Sequence, residues 1–129
     1  MNKSSAVTKG IRVEVKSRYI PERSDPSLPL YFFAYHITIT NEGDKMVTLL
    51  SRYWHISDAT GYVEEVKGPG VVGYQPRLEP EESFDYTSFC PLKTEFGIMK
   101  GTYQLYYEDG ESFDAEIAPF QLVTPHSVN

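Results

Sequence analysis

The chain has a single cysteine, Cys90, among its 129 residues, so no disulfide can form within it. It has no apolar run near the ~18 residues that would cross a bilayer, and its first residues lack the apolar segment of a signal peptide. We therefore expect a reduced, cytoplasmic protein that does not enter a membrane.

Basic residues are outnumbered, with 12 Lys and Arg against 18 Asp and Glu, which gives a net charge of −6. Such a chain is not expected to bind nucleic acid or an anionic membrane non-specifically.

The few basic residues are concentrated at the start of the chain. Residues 1–23 contain six Lys or Arg against two Glu, a net charge of +4, so the remaining 106 residues carry −10. A basic first strand on an acidic body can steer a binding partner. Lys and Arg side chains can equally protect a sheet edge from aggregation, and the sequence leaves both interpretations open.

Aromatic residues and turn formers are abundant, with 10 Tyr, 7 Phe, 9 Gly and 9 Pro. Short segments of alternating apolar residues, the pattern of half-buried strands, are separated by turns at a spacing of roughly 8–12 residues or somewhat more. No segment shows a convincing amphipathic helical period. The sequence therefore predicts an all-β, immunoglobulin/fibronectin type III-like sandwich of seven to eight antiparallel strands, with Trp54 packed between the two sheets.

Within this sandwich, residues 31–57 are expected to form an antiparallel hairpin around the Asn41–Asp44 turn. The inward-facing residues of its second strand are expected to be Leu50, Trp54 and Ile56. Arg52 shares their parity, which requires a bulge or a side chain that lies along the Trp54 ring and ends in solvent or at a carboxylate. Gly101, inside a later strand, indicates a bulge or a close backbone approach.

The chain is long enough for one domain, which we place at residues 10–124. Residues 1–9 are predicted to be a flexible N-terminus, and residues 125–129 a C-terminal tail, with the last strand ending near residue 120. Val63 is expected to face inward on a short strand.

One loop, Gly68-Pro69-Gly70-Val71-Val72-Gly73-Tyr74-Gln75-Pro76, has the G-x-G-x-x-G spacing of dinucleotide-binding proteins. In those proteins the glycines precede a helix whose N-terminus holds the pyrophosphate. Pro76 cannot lie inside a helix, and it pushes Gln75 toward extended geometry. The sequence therefore excludes a helical phosphate cradle at this loop.

Two interpretations of the loop remain. In the first, glycines with positive φ display the valines for contact with another protein, through the partner-binding residues Val71, Val72, Tyr74, Tyr62 and Arg77. In the second, a nest of backbone amides binds an anion without a helix, through Lys67, Gly68, Gly70, Gly73 and Arg77.

Catalytic and metal chemistry have little support in the sequence. His36, His55 and His126 are scattered without the spacing of metal ligands, and the acidic clusters are typical of solvated hairpin turns. Cys90 has no histidine nearby in sequence and is expected to be a buried strand-end cysteine. We predict no catalytic residues, no metal site, no cofactor and no enzymatic activity.

Six segments taken together resemble the ApaG family of bacterial proteins. They are Leu49-Leu50-Ser51-Arg52-Tyr53-Trp54, Gly68-x-Gly70-Val71-Val72-Gly73-x-Gln75-Pro76, Tyr86-Thr87-Ser88, Cys90-Pro91-Leu92, Met99-x-Gly101-x-Tyr103 and Pro119-Phe120-x-Leu122. Tyr53 departs from the pattern, because the family usually has His there, and this weakens any metal role at that position.

The resemblance implies a fibronectin type III-like sandwich that acts as a non-enzymatic binding module. The domain is also similar to one at the C-terminal end of certain eukaryotic F-box proteins and of a polymerase-interacting protein, where it resembles a protein-binding module. The family is linked genetically to cobalt tolerance and magnesium efflux, and its gene often neighbours that of a diadenosine tetraphosphate hydrolase. We therefore expect a protein partner or a second copy of the chain. The alternative is a sensor of nucleotide or pyrophosphate at the glycine loop.

Overall fold

The computed structural model describes residues 2–125 and shows two antiparallel β-sheets packed face to face. The strands are β1 (Lys3–Thr8), β2 (Ile11–Tyr19), β3 (Tyr31–Asn41), β4 (Val47–Asp58), β5 (Val63–Pro69), β6 (Arg77–Leu78), β7 (Ser83–Leu92), β8 (Phe96–Tyr107) and β9 (Ser112–Val123). One sheet has the order β1-β2-β3-β7. The other has the order β5-β4-β8-β9, with β6 paired to the start of β4. The all-β sandwich predicted from the sequence is confirmed.

The core is built from the alternating strands that the sequence indicates. On β3 the side chains of Phe33, Tyr35, Ile37 and Ile39 all face the opposite sheet and are buried. Trp54 on β4 is buried against them, with its ring centroid 5.4 Å from that of Tyr35 and 5.9 Å from that of Phe120. A 3₁₀ turn covers Pro21–Arg23, and no helix within residues 2–125 is long and apolar enough to cross a membrane.

The predicted hairpin over residues 31–57 is wrong, because β3 and β4 belong to different sheets. The turn between them carries the chain across the core. The amide of Asn41, a nearly fully buried side chain, donates to the carbonyls of Lys45 and Leu78 and accepts from the Gly43 N–H. These side-chain bonds hold the turn, while the backbone of β3 makes its ladder bonds with β2 and β7 instead of β4.

Leu50 faces solvent and not the core as predicted, because β4 contains a bulge. The pairing of β4 with β8 shifts register between Leu49 and Ser51, so one extra residue reverses the parity of the strand before it. Leu49 is therefore buried, whereas Leu50 is 47% exposed. The bulge and close backbone approach predicted at Gly101 are confirmed. The pairing of β8 with β9 shifts register there, and an added Cβ would lie 2.0 Å from the Tyr53 carbonyl oxygen.

The two ends of the chain are more ordered than the sequence predicts. Residues 3–8 form β1, where a flexible terminus is expected, and β9 continues through the buried Leu122. Val63 is exposed rather than inward-facing. Of the predicted tail, His126 and the residues after it lie outside the described residues.

The two long sides of the sandwich differ. On one side β9 lies against β1 and β2, and the Ser4 hydroxyl donates to the Ala118 carbonyl at 2.8 Å. On the other side the sheets end in the edge strands β5 and β7, and a groove separates them. The glycine loop crosses this open side.

Candidate functional site

The glycine loop is attached to the bulge of β4. The Leu50 carbonyl accepts hydrogen bonds from the Gly70 N–H and from the Gln75 side-chain amide, both at 2.9 Å. Leu49 donates its N–H to the Pro76 carbonyl, also at 2.9 Å. Because the bulge takes Leu50 out of the regular ladder, its carbonyl is available to hold both arms of the loop.

The tip of the loop is a tight turn closed by two hydrogen bonds. The N–H of Val71 donates to the Tyr74 carbonyl, and the N–H of Tyr74 donates to the Val71 carbonyl, both at 2.8 Å. Val72 and Gly73 between them have φ of 41° and 86°, the two positive values that define a type I′ turn. Gly70 also has positive φ, but Gly68 does not, so the predicted conformation holds at two of the three glycines.

The two valines of the loop have opposite environments. Val71 is fully buried in the core, so the prediction that it is displayed to a partner is wrong. The bridge between Val71 and Tyr74 turns the Val71 side chain inward and leaves Val72, at the tip, half exposed. Tyr74 is 62% exposed and lies with its ring centroid 6.0 Å from that of Phe84 on β7. The loop therefore spans from one sheet to the other.

Arg52 anchors the loop from below, a role that the sequence does not identify. Its Nη1 donates to the carbonyl oxygens of Pro69 and Gly70 at 3.0 and 2.9 Å. The guanidinium lies against Gly68, where an added Cβ would come within 3.0 Å of Nη2. The clue in the sequence is that Arg52, a charged residue, alternates in step with residues of its strand that are expected to face the core. The head group ends at backbone carbonyls rather than in solvent or at a carboxylate.

Three tyrosines lie in the protein interior near Arg52. The hydroxyls of Tyr86 and Tyr103 are hydrogen-bonded to each other across the two sheets. Burial raises the pKa of Tyr35, Tyr86 and Tyr103, and the positive charge of Arg52 opposes that rise in all three. All three phenols therefore remain protonated at neutral pH.

Beyond the loop, the open side of the sandwich is a groove of about 300 Å³. Its lining includes Tyr35, Trp54, Val66, Glu64 and Cys90. Burial raises the pKa of the Cys90 thiol to about 12, so the thiol is protonated at neutral pH. Since the thiolate is the nucleophilic form, Cys90 is a structural residue, in agreement with the prediction of a buried cysteine.

The residues of the predicted anion site are not brought together. Lys67 lies level with Tyr53 on β4, with its Nζ 5.9 Å from that ring centroid, whereas Arg77 lies level with Thr48. Five residues of strand separate those positions, a distance of roughly 15 Å. The amides of Gly70, Val71 and Tyr74 already donate to carbonyl oxygens within the protein.

Tyr62 is likewise distant from the loop. It precedes β5, whereas the glycines follow the far end of that strand. The seven residues of β5 place Tyr62 roughly 20 Å from the loop. Among the predicted partner-binding residues, the exposed ones that share a neighbourhood are Val72 and Tyr74.

His36 lies between two side chains of β7, an arrangement that the sequence does not reveal. Its Nδ1 is 2.8 Å from the Thr87 hydroxyl, and its Nε2 is 3.1 Å from an Asp85 carboxylate oxygen. The His36 and Asp85 side chains are 44% and 65% exposed on the outer face of the sheet. Because both side chains are exposed, this group acts as a cross-strand contact on the surface of the sheet. Within residues 2–125, no three His, Cys, Asp or Glu residues are grouped to hold a metal ion.

Comparison with known proteins identifies the family. The ApaG domain matches residues 21–107. The ApaG protein of Anaeromyxobacter dehalogenans (strain 2CP-C) is 54% identical over 126 residues, which cover 98% of this chain and 99% of that protein. The chain belongs to the ApaG family. The ApaG protein of Mesorhizobium japonicum is also 54% identical, over 93% of this chain and 92% of its own.

Two solved structures are similar to this chain in both sequence and fold. A crystal structure described as an ApaA protein from Bordetella pertussis is 50% identical, with a TM-score of 0.87 over 89% of this chain and 94% of its own. An X-ray structure of a Northeast Structural Genomics Consortium target is 46% identical, with a TM-score of 0.88 over 96% and 94%. The ApaG resemblance of the sequence is therefore confirmed.

Several of the segments that carry the ApaG resemblance meet at the open side of the sandwich, whereas Pro119-Phe120-x-Leu122 lies on β9 at the closed side. Arg52 holds the glycine loop, and Tyr86 is hydrogen-bonded to Tyr103 below it. Cys90 contributes to the groove above the loop. The loop and its arginine anchor therefore form one hydrogen-bonded unit.

Proposed function

We propose that this ApaG-family protein is a non-enzymatic binding module that docks another protein at the tip of its glycine loop. The observation that carries the proposal is Val72, which is half exposed and has a φ of 41°. Positive φ is unfavourable for a β-branched residue. Strain of this kind is retained mainly at functional positions.

The surroundings of Val72 support a docking role. Tyr74, two residues later, exposes most of its ring, and aromatic residues are enriched among the anchors of protein interfaces. The tip is held by its own turn hydrogen bonds, by the Leu50 carbonyl and by Arg52. A loop that is already ordered loses little conformational entropy when a partner binds.

Arg77 and Tyr62 have different parts in this proposal. Arg77 is exposed on the short β6, directly after the loop, and can contribute to the rim of the docking surface. Tyr62 is left out because it lies at the opposite end of β5. In this proposal, the link to cobalt and magnesium that the ApaG resemblance implies acts through the docked partner.

The test is a quantitative affinity capture with the wild-type chain, a Val72→Asp/Tyr74→Asp variant and a Val63→Asp control. Val63 is a similarly exposed valine on the same side of the fold, but at the far end of β5. We expect the tip variant to lose the protein that wild type and control both retain. A purified partner should then protect the amides of residues 70–74 from hydrogen exchange. Equal recovery of every bound protein by all three chains would contradict the proposal.

A further inference from the structure

The four edges of the two sheets are protected to different degrees. On the closed side, β1 and β9 cover each other, and the Glu116 N–H donates to the Thr8 hydroxyl at 3.0 Å. The edge strand β5 carries three charged side chains and ends in Pro69. Charges and proline discourage the pairing of an edge with another strand. The fourth edge, β7, has a single charged residue, Asp85, along its ten residues.

Hydrogen bonds of neighbouring residues show which backbone groups of β7 are free. The Phe32 carbonyl accepts from the Ile20 N–H, so the backbone groups of Phe32 point away from β7. Phe32 is in register with Pro91, and Pro91 therefore directs its own carbonyl away from β3. Because these directions alternate along a strand, Asp85, Thr87 and Phe89 also present their N–H and carbonyl groups outward. Among the strands formed by residues 2–125, none pairs with β7 on that side.

The odd-numbered residues of β7 thus combine free backbone groups with side chains on the outer face of the sheet. All of them are exposed. Pro91 closes one end of this edge, since it has no N–H to donate. The free stretch between Ser83 and Pro91 is almost neutral, and an edge with so few charges is one that can pair with another strand.

We propose that β7 pairs antiparallel with β7 of a second copy of this chain, with Thr87 opposite Thr87 at the two-fold axis. The pairing joins the two four-stranded sheets into one sheet of eight strands. Asp85 is then opposite Phe89, and Ser83 is opposite Pro91. The contact is isologous, as expected for a symmetric dimer, and its central residues can form about six backbone hydrogen bonds.

Charge complementarity favours a second copy as the occupant. The guanidinium of Arg23 lies over the rings of Phe32 and Phe89, at 4.3 and 5.1 Å from their centroids. In the proposed register, the Asp85 carboxylate of one copy is directly across from Phe89 and its bound arginine in the other. Asp85 on β7 of one copy therefore faces Arg23, from the Pro21–Arg23 turn of the other copy, and the two-fold axis makes this contact twice.

Disulfide trapping tests the register. Hydrogen-bonded residues opposite each other in an antiparallel pair have Cα atoms about 5.5 Å apart, which is within the range that a disulfide spans. Thr87→Cys should form a covalent dimer under mild oxidation. Glu65→Cys on the β5 edge is the matched control, and wild type reports the background of the buried Cys90. Equal trapping of Thr87→Cys and Glu65→Cys would overturn the proposal.

Sedimentation velocity over a range of protein concentrations tests the dimer without oxidation. We expect Asp85→Lys and Arg23→Glu each to raise the dimer dissociation constant by at least about fivefold, because each places like charges across the contact. The double variant should restore dimerisation. A chain that stays monomeric at every concentration, or a dimer insensitive to both single changes, would overturn the proposal.

The loop-tip variant Val72→Asp/Tyr74→Asp separates this inference from the proposed function. It should dimerise like wild type while losing its protein partner. Thr87→Pro removes one outward N–H without removing a bond to β3, so it should weaken the dimer and still fold.

Discussion

At the scale of single residues, Val72 has a backbone conformation that costs stability, and its exposed side chain suits a role in binding. Asn-Gly is the preferred pair for a type I′ turn, because asparagine and glycine adopt positive φ readily. The chain has Val-Gly instead, and the Val72 side chain is exposed at the tip rather than packed in the core. A valine at this position gains little from burial, which favours a role in contact with another molecule.

Val72→Asn should therefore stabilise the fold, by about 1 kcal/mol, because it relieves the unfavourable backbone conformation. Urea denaturation measures the change. Gly73→Ala is the converse control: an added Cβ meets nothing within 4 Å, so its loss of about 1 kcal/mol reports the backbone alone. If Val72→Asn left stability unchanged or reduced it, the strain at this position would be disproved.

Arg52 should be the residue on which the loop depends most. Arg52→Met removes two charge-assisted hydrogen bonds to the Pro69 and Gly70 carbonyls, and we expect a loss of about 2 kcal/mol. Arg52→Lys should recover only part of it, since an ammonium group cannot reproduce the planar guanidinium. Hydrogen exchange should show faster exchange at Gly70 and Val71 in both variants. Unchanged exchange there would mean that the loop is held without Arg52.

At the scale of elements, the hydroxyl pair Tyr86–Tyr103 joins β7 of one sheet to β8 of the other. Tyr86→Phe or Tyr103→Phe alone leaves a buried hydroxyl without its partner, which costs about 1–3 kcal/mol. The double variant should be closer to wild type than the sum of the two single losses. A double-mutant cycle of urea denaturation measures the coupling, and additive losses would show that the two hydroxyls do not interact.

The same interior groups predict how stability depends on pH. Burial raises the pKa of Tyr86, Tyr103 and Tyr35, and it raises that of Cys90 to about 12 from an ordinary value of 9.0. In alkaline solution the unfolded chain therefore releases these protons before the folded chain does. Their contribution is fully present below about pH 8.5 and is lost as the pH rises toward the folded values.

The free energy of unfolding, measured by urea denaturation between about pH 7 and pH 11, should therefore fall on the alkaline side. The Tyr86→Phe/Tyr103→Phe variant should show a shallower fall, because two of the groups that release protons are gone. Identical pH dependence in the two chains would contradict this assignment.

At the scale of the whole molecule, the sequence predicts the architecture well where the signal is local. Strict alternation identifies β3 and its core face, and Gly101 marks its own bulge. Pro76 excludes a helix after the glycines, and the structure has a turn and a short strand there. These features depend on residues close together in the chain.

The errors come from pairings between distant residues. A turn signal at Asn41–Asp44 does not tell which sheet the next strand joins, so the predicted hairpin is wrong. One bulge residue exchanges the orientations of Leu49 and Leu50, so that Leu49 faces the core. The β-bridge between Val71 and Tyr74 turns the Val71 side chain inward. The Arg52 contacts join residues 17 and 18 positions apart. The sequence flagged Arg52 as a misfit but could not name its partners.

In the proposed function, the glycine loop uses the backbone amides of Gly70, Val71 and Tyr74 internally and presents Val72 and Tyr74 to another protein. The most direct measurement is an NMR titration of the chain with pyrophosphate, ATP and diadenosine tetraphosphate, following the amides of Gly68, Gly70 and Gly73. We expect no saturable shift up to millimolar ligand, because the loop amides of Gly70, Val71 and Tyr74 already donate to carbonyl oxygens. Saturable shifts centred on these glycines would contradict the account and identify the loop as a phosphate site.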